Sequence, residues 1–189
     1  VKKPVAHVTD HAVLRYLQIT LFDHDVASQA AGPLAWGNDY IAGGPGDDML
    51  KSQGGDDVIV GGDGDDDITY NGNGTVVIGG GDGNDRIHLA FGPTSYIFAG
   101  AGNDQVTCDG GNDTIYPGPG RDTIRAGSGN DTVIFRNVCE LDSNKLLNGG
   151  AGDDTLILPV PLPSLNGVNA IGFEHIVVDA TKSHLAECP

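Results

Sequence analysis

Short carboxylate side chains recur in this chain at a spacing that a metal site could use. Ten aspartates occupy the same place, the sixth, in segments of nine residues, each two residues after a glycine. Short acidic side chains suit loops and metal cages better than helix faces, because they bond to nearby backbone and offer hard oxygen ligands. The series therefore predicts acidic turns that hold a cation. The ten candidate metal ligands are Asp39, Asp48, Asp57, Asp66, Asp85, Asp104, Asp113, Asp122, Asp131 and Asp154.

The charge of the chain limits its partners. There are 26 acidic and 10 basic residues, which gives a net charge of -16. Nucleic acids and anionic lipids bind clustered Lys and Arg, so this charge argues against both partners. No apolar run reaches the roughly 18 residues of a membrane-spanning helix, which argues against membrane insertion. Cationic partners are the natural expectation.

The aspartates lie in a glycine-rich block of internal repeats. Of the 30 glycines, 28 lie between Gly32 and Gly152, so we divide the chain into a leader (1–33), a central block (34–157) and a tail (158–189). Ten segments of the block carry Gly at position 4, Asp at position 6 and Ile, Leu or Val at position 8. An insertion at 135–148 separates the tenth segment from the others.

The repeats resemble those of a known family. Segments such as GGDGDDDIT (61–69) and GGDGNDRIH (80–88) fit the pattern G-G-x-G-x-D-x-U-x, where U is a large apolar residue. In this the chain resembles the RTX, or haemolysin-type calcium-binding, repeat proteins, over about two thirds of its length. The resemblance implies calcium as the bound cation and a right-handed parallel β-roll as the fold.

Elementary geometry leads to the same architecture. Glycines permit the positive φ angles and close backbone approach of stacked turns, and the x-U-x triplet forms a short strand. Two segments of nine residues make one coil with two strands. Stacked coils therefore form two facing parallel sheets. We expect an all-β fold, a β-solenoid with short N- and C-terminal caps. The predicted inward rows are Ile41, Ile59, Val77, Ile97, Ile115 and Val133 in one sheet, and Leu50, Ile68, Ile87, Val106 and Ile124 in the other.

Stacking creates a need for calcium. Ordering a coil costs more conformational entropy than two buried side chains return, and stacked carboxylates repel each other. Calcium accepts several carboxylate and carbonyl oxygens, so its binding free energy becomes folding free energy. Two aspartates that bind the same ion should lie two repeats apart, because only alternate turns share an edge. This spacing gives six sites with a complete pair of aspartates. The pairs are 48/66, 66/85, 85/104 and 104/122 on one edge, and 39/57 and 113/131 on the other.

The second edge is interrupted. Thr75 and the stretch Pro93-Thr94-Ser95 stand where Asp is expected, in segments of ten residues, 70–79 and 89–98. Two interpretations remain open. The sequence at these turns could have drifted because the loss of a metal site is tolerated, or Phe91, Tyr96 and Phe98 could form a metal-free docking patch. Asp154 is a candidate for a seventh site. Because of the insertion, the sequence does not show on which edge it lies. Asp85 should serve two ions, whereas Asp39, first on its edge, should serve one.

The two flanks predict caps. A strand is expected at 16–22 in the leader, and the segment 171–179 could supply contacts through Phe173, Ile176 and Val178. Cys139 and Cys188 lie outside the regular repeats, so a disulfide between them is expected, leaving Cys108 free.

Two functions remain open. The first is a secreted, extracellular or cell-surface calcium-binding module with a structural, adhesion, matrix or filament role and no enzymatic activity. Self-assembly, or a cell-surface or matrix partner, would fit that role. The alternative, implied by the family resemblance, is the C-terminal secretion and folding module of a larger RTX enzyme, a protease or a lipase.

Overall fold

The chain folds almost entirely into β-strands. A computed structural model describes residues 18–20, 37–92, 94–141, 145–160 and 168–182. Helix in these ranges is limited to two short 3-10 segments, Val138–Leu141 and Ala180–Lys182. No helix among the described residues has the length and apolarity needed to cross a bilayer.

Short strands follow one another at regular intervals along the chain. The strands of the described ranges are β1 (Gln18–Thr20), β2 (Tyr40–Pro45), β3 (Met49–Ser52), β4 (Asp57–Asp63), β5 (Asp67–Tyr70), β6 (Val76–Asp82), β7 (Arg86–Leu89), β8 (Ser95–Ala101), β9 (Gln105–Cys108), β10 (Thr114–Tyr116), β11 (Thr123–Ser128), β12 (Thr132–Ile134), β13 (Lys145–Ala151), β14 (Thr155–Leu158), β15 (Val168–Ile171) and β16 (His175–Val178).

Successive strands alternate between two sheets. Sheet A has the order β1-β2-β4-β6-β8-β10-β12-β14-β16, and sheet B has the order β15-β13-β11-β9-β7-β5-β3. Each strand pairs in parallel with the strands one coil before and after it. This is the predicted parallel β-roll, a solenoid of about 7 turns.

Two facing rows of aliphatic side chains form the centre of the core between the sheets. In sheet B the predicted residues Leu50, Ile68, Ile87, Val106 and Ile124 pair in register and are buried, and Leu147 continues the row. In sheet A the row runs Ile41, Ile59, Ile78, Ile97, Ile115, Val133 and Leu156. The expectation that Val77 faces the core is wrong, since Ile78 pairs with Ile59 and is fully buried.

The error has a simple cause. Segment 70–79 has ten residues, and the additional residue is accommodated in the turn before β6 rather than after the strand. A shift of one residue exchanges the inward and outward faces of a strand, so Ile78 takes the core position and Val77 lies half-buried on the outer face. The same shift places Val76, not Thr75, opposite Asp57.

The two ends of the roll agree only in part with the caps we expected. β1 pairs with β2, so a leader strand does extend sheet A; the remaining residues of the predicted strand at 16–22 lie outside the described ranges. At the other end β16 pairs with β14, and Phe173 packs against the core. Ile176 and Val178 are each 45% exposed, so they are not the buried contacts that the sequence suggested.

The insertion returns the chain to sheet B. After the 3-10 segment Val138–Leu141, β13 begins at Lys145 and pairs with β11, and β14 then joins sheet A. Asp154 immediately precedes β14 and so belongs to the same edge as Asp131. This answers a question that the sequence left open.

Ile78 and Val77 give a test of the sheet A register. We expect Ile78→Ala to lower the free energy of unfolding by about 2–5 kcal/mol, because it opens a cavity in the core row. Val77→Ala on the same strand should cost less than about 1 kcal/mol. Urea unfolding of both variants at saturating calcium measures the difference. Equal losses would contradict the register.

Candidate metal sites

The turns between strands are built so that backbone carbonyls of neighbouring coils stack closely. In the turn 61–66, Gly62 and Gly64 have φ angles of 130° and 129°. A Cβ on either would collide with the carbonyl of Gly44 or Gly46 in the preceding coil. Glycine at positions 2 and 4 is therefore required both by the φ angle and by the contact between coils.

The aspartates at position 6 form two rows, one along each edge of the roll. Row B precedes the strands of sheet B and contains Asp48, Asp66, Asp85, Asp104 and Asp122. Row A precedes the strands of sheet A and contains Asp39, Asp57, Asp113, Asp131 and Asp154. In row B each backbone N–H donates to Oδ1 of the next Asp, at 2.8 Å (48 to 66), 2.9 Å (66 to 85), 2.8 Å (85 to 104) and 3.0 Å (104 to 122).

Row A has the same geometry with a gap. The N–H of Asp39 donates to Asp57 at 2.9 Å, and that of Asp113 donates to Asp131 at 2.8 Å. Between these pairs, Val76 and Ser95 occupy position 6. All six predicted pairs are thus neighbours in adjacent coils.

Two further pairs extend row A beyond the prediction. The N–H of Asp131 donates to Oδ1 of Asp154 at 2.8 Å, and the N–H of Asp154 donates to Oε2 of Glu174 at 2.8 Å. Glu174 therefore takes the place of the next aspartate. Its segment, NAIGFEHIV (169–177), has Gly172 at position 4 and Ile176 at position 8, but Glu stands in place of Asp at position 6 and positions 1 and 2 have no glycine, which is why the repeat pattern missed it.

The second carboxylate oxygen of most row members has no hydrogen-bond donor. Within the described ranges this holds for Oδ2 of Asp39, Asp66, Asp85, Asp104, Asp113, Asp131 and Asp154, each of which is buried. Burying an ionised oxygen without a donor or cation is costly. In each pair, one residue donates its backbone N–H to the carboxylate of the next. Each of these seven residues is the donating member of a pair, so its unsatisfied oxygen lies where two successive coils meet.

In the turns of Asp66, Asp85 and Asp154, the unsatisfied oxygen faces a carbonyl of the next coil across a narrow space. A Cβ on Gly61 would fill that space and collide with Oδ2 of Asp66 and the carbonyl of Gly80. The same holds at Gly80, where the Cβ would meet Oδ2 of Asp85 and the carbonyl of Ala99. Two oxygens from two coils therefore converge on a small, side-chain-free volume.

Two row members differ, because a side chain donates to the second oxygen. The hydroxyl of Ser52 donates to Oδ2 of Asp57, and the nearby Tyr70 hydroxyl donates to the Gly55 carbonyl at 2.8 Å. The ammonium of Lys145 donates to Oδ2 of Asp122 at 2.5 Å. Asp57 and Asp122 are the two acidic members whose next neighbour in the row is not acidic, since Val76 and Lys145 follow them.

Burial raises the pKa values of eight row carboxyls above their ordinary value of 3.8: those of Asp39, Asp57, Asp66, Asp85, Asp104, Asp113, Asp122 and Asp131. The pKa of Asp66 rises to about 6, and those of Asp104 and Asp131 rise to about 7. Loss of hydration is the main cause, and neighbouring carboxylates of the same row add to it. A bound divalent cation would reverse both effects.

The donor set fits calcium. Nowhere in the described part of the chain do three His, Cys, Asp or Glu side chains converge, so a metal here would be held by carboxylate pairs together with turn carbonyls. An all-oxygen set without imidazole or thiolate favours Ca²⁺, which tolerates flexible geometry and many oxygen ligands.

A second set of side chains, at position 5, was missed by the sequence reasoning. Each accepts from a backbone N–H of the next coil: Asn38 from Asp56 at 2.9 Å, and Asn84 from Asn103 at 2.9 Å. Position 5 is Asn or Asp in nine of the ten segments, a signal that was available. These side chains are exposed, and they brace the turns from outside.

Comparison with known proteins agrees with the geometry. The family model of the RTX calcium-binding nonapeptide repeat matches residues 35–68, 72–93, 95–115, 109–135 and 146–158, more than half of the chain. The chain belongs to this family. Calcium is therefore its cofactor, and the calcium-binding RTX β-roll predicted from the repeats is confirmed. No curated protein and no solved structure matches the chain.

The cysteines follow the expectation where they are described. Cys108 is free and buried, and Cys139 is disulfide-bonded. The partner expected for Cys139, Cys188, lies outside the described residues. So do His7 and His11, the histidines of the leader whose spacing suits a helix face.

The raised pKa values predict how the calcium-free chain responds to pH. Asp66, Asp104 and Asp131 hold protons in the folded form that the unfolded form releases, so acid favours folding. This contribution is complete below the ordinary value of 3.8 and is lost as the pH rises through about 6 to 7. In metal-stripped buffer, β structure should increase from about pH 8 to about pH 5. Circular dichroism checks this, with sedimentation to exclude aggregation. More β structure at the higher pH would contradict it.

Proposed function

We propose that this protein is a secreted, calcium-dependent structural or adhesion module whose roll forms when calcium enters the two carboxylate rows. The observation that carries the proposal is the line of buried carboxylate oxygens without donors between adjacent coils. The proposed ligands are the ten predicted aspartates together with Glu174. The alternative, a secretion and folding module of a larger enzyme, would use the same roll and would need catalytic residues beyond the described ranges.

Electrostatics supports a folding switch rather than a static site. Without cations, aspartate carboxylates that are 18 or 19 residues apart in sequence lie next to one another in successive coils and are shielded from water. The acidic pairs number eight, and eight Ca²⁺ would neutralise the net charge of -16. Calcium binding then supplies the free energy that orders the coils.

One feature of the described residues supports an extracellular location. The disulfide of Cys139 favours an oxidising compartment, because cytosolic thiols are kept reduced.

The outer face of sheet A supports a role in assembly. From β2 to β16, its second outward row consists of apolar and aromatic residues with one glycine: Ala42, Val60, Gly79, Phe98, Tyr116, Ile134, Ile157 and Val177. Thr20 of β1 precedes them in the register. The corresponding row of sheet B is mostly polar: Lys51, Thr69, His88, Thr107, Arg125, Asn148 and Ile171. Phe98 stacks on Tyr116 with ring centroids 4.7 Å apart, and Tyr96 beside them is 44% exposed.

We propose a second copy of this chain as the occupant of that face. A charge of -16 keeps two calcium-free copies apart, whereas eight bound ions remove the repulsion as they build the face. Of the two interpretations of the interrupted edge, this favours the docking patch for Tyr96 and Phe98. Phe91, which is 77% exposed and has a positive φ of 65°, lies outside the strands.

A calcium titration tests the folding proposal. In excess chelator the chain should lose most of its β signal, and the signal should return cooperatively as calcium rises through about 0.1–1 mM. Native mass spectrometry at saturation should show close to eight ions, against the six counted from the sequence. A far-UV spectrum that is the same in chelator and in calcium would contradict the proposal.

Within that titration, one matched pair of variants tests the shared ligands. Asp85 lies in the middle of row B, accepting from Asp66 and donating to Asp104, whereas Asp39 begins row A. Asp85→Asn should raise the calcium midpoint more than Asp39→Asn, because it weakens two sites instead of one terminal site. Both changes remove one charge and preserve size. Equal midpoint shifts would contradict the arrangement.

Sedimentation velocity tests assembly. At about 50 µM protein with calcium, the wild type should sediment as a dimer or larger species, and Phe98→Glu should shift it to the monomer. Gln105→Glu, on the outer face of sheet B, is the control and should leave assembly unchanged, since Gln105 is exposed on the opposite sheet. A wild type that stays monomeric in calcium would contradict the proposed occupant.

A further inference from the structure

One buried basic side chain lies inside a turn of row B. Lys145 is fully buried, and within the described ranges it is the only basic residue with a buried side chain. Its ammonium donates to the Gly118 carbonyl at 2.8 Å, to the Gly120 carbonyl at 2.5 Å and to Oδ2 of Asp122 at 2.5 Å. Three donors therefore meet three acceptors, which is the full capacity of an ammonium group.

These acceptors are the polar atoms that the other turns leave for a cation. Gly118, Gly120 and Asp122 are positions 2, 4 and 6 of the turn 117–122. In the equivalent turns of row B, Oδ2 of Asp66, Asp85 and Asp104 has no donor. The ammonium thus supplies Oδ2 of Asp122 with the donor that the equivalent oxygens of its neighbours lack.

The register explains where the side chain starts. Leu146 pairs with Thr123, so Lys145 stands beside Asp122 at position 6, where the next aspartate of row B would be. A carboxylate there would complete a metal pair; the lysine instead directs its own positive charge into the turn. The Phe135 ring, with its centroid 5.9 Å from the ammonium, adds a cation–π contact.

A simple surface ion pair would not have these properties. Dehydrating a lysine and a carboxylate together is costly, and their attraction compensates only when the remaining donors are satisfied. Here two backbone carbonyls satisfy them, and both side chains of the pair are 0% exposed. The distances of 2.5 to 2.8 Å approach the roughly 2.3–2.6 Å of calcium–oxygen bonds, so one cage suits either cation.

We propose that the ammonium of Lys145 is a built-in replacement for calcium at the last position of row B. The inference rests on the proposed ligand pairs. It means that row B ends in a cation that does not dissociate, so the contact between β11 and β13 does not depend on the calcium concentration. It also means that Lys145 excludes a ninth ion.

The experiment compares ion counts of Lys145→Asp and wild type by native mass spectrometry with calcium. Replacing a +1 side chain by a -1 side chain lowers the charge by two, which one Ca²⁺ restores, and it completes a carboxylate pair with Asp122. We expect Lys145→Asp to bind one ion more than the wild type. The isosteric Lys145→Met should bind no extra ion and should raise the calcium midpoint for folding, because Asp122 is left without its cation.

A second measurement on the wild type does not depend on any variant folding. With calcium present, an amine-acetylating reagent should modify the exposed Lys51 at least tenfold faster than Lys145, as peptide mass spectrometry reports. Equal ion counts for Lys145→Asp and wild type, or equal acetylation of Lys145 and Lys51, would overturn the inference. The absolute wild-type count tests the eight proposed pairs separately, since the inference concerns only the difference of one ion.

Discussion

The mutual repulsion of carboxylates stacked in adjacent coils is the constraint on which the rest of this structure depends. Most turns place an aspartate one coil away from the next, with one oxygen bonded to backbone and the other left without a donor. Hydrogen bonds of the strands and a core two side chains wide cannot offset that repulsion alone. In the proposed mechanism the fold is therefore coupled to its cations, and the chemistry of the turns decides when the sheets form.

The interruptions of the rows follow the same rule. Where row A loses its acidic partner after Asp57, the hydroxyls of Ser52 and Tyr70 occupy the carboxylate and carbonyl oxygens. Where row B loses its partner after Asp122, an ammonium does so. An unpaired position is thus supplied with protein donors, and only paired positions keep an oxygen waiting for metal. This explains how a roll with imperfect repeats stacks without gaps in its polar network.

The sequence predicted much of this, and the misses have local causes. The positions of the Asp and apolar residues were sufficient for the two sheets, the core row of sheet B and the six pairs. Val77 was misplaced because the pattern cannot show where a turn accommodates an extra residue. Glu174 was missed because it stands where the repeats have Asp, and Lys145 was missed because no glycine lies two residues before it. The strand register brings them beside Asp154 and Asp122.

The proposed arrangement, with one ion between each two successive coils of a paired edge, has a mechanical consequence. A chain pulled from its ends would lose its coils one after another, each release freeing 18 residues and about 60 Å of extended chain. Every step would also break contacts to calcium, so the force needed would increase with the calcium around the protein. Released coils would recapture their ions when the tension falls. Such a roll extends in steps and recovers, which is the behaviour of an extensible tether rather than of a rigid rod.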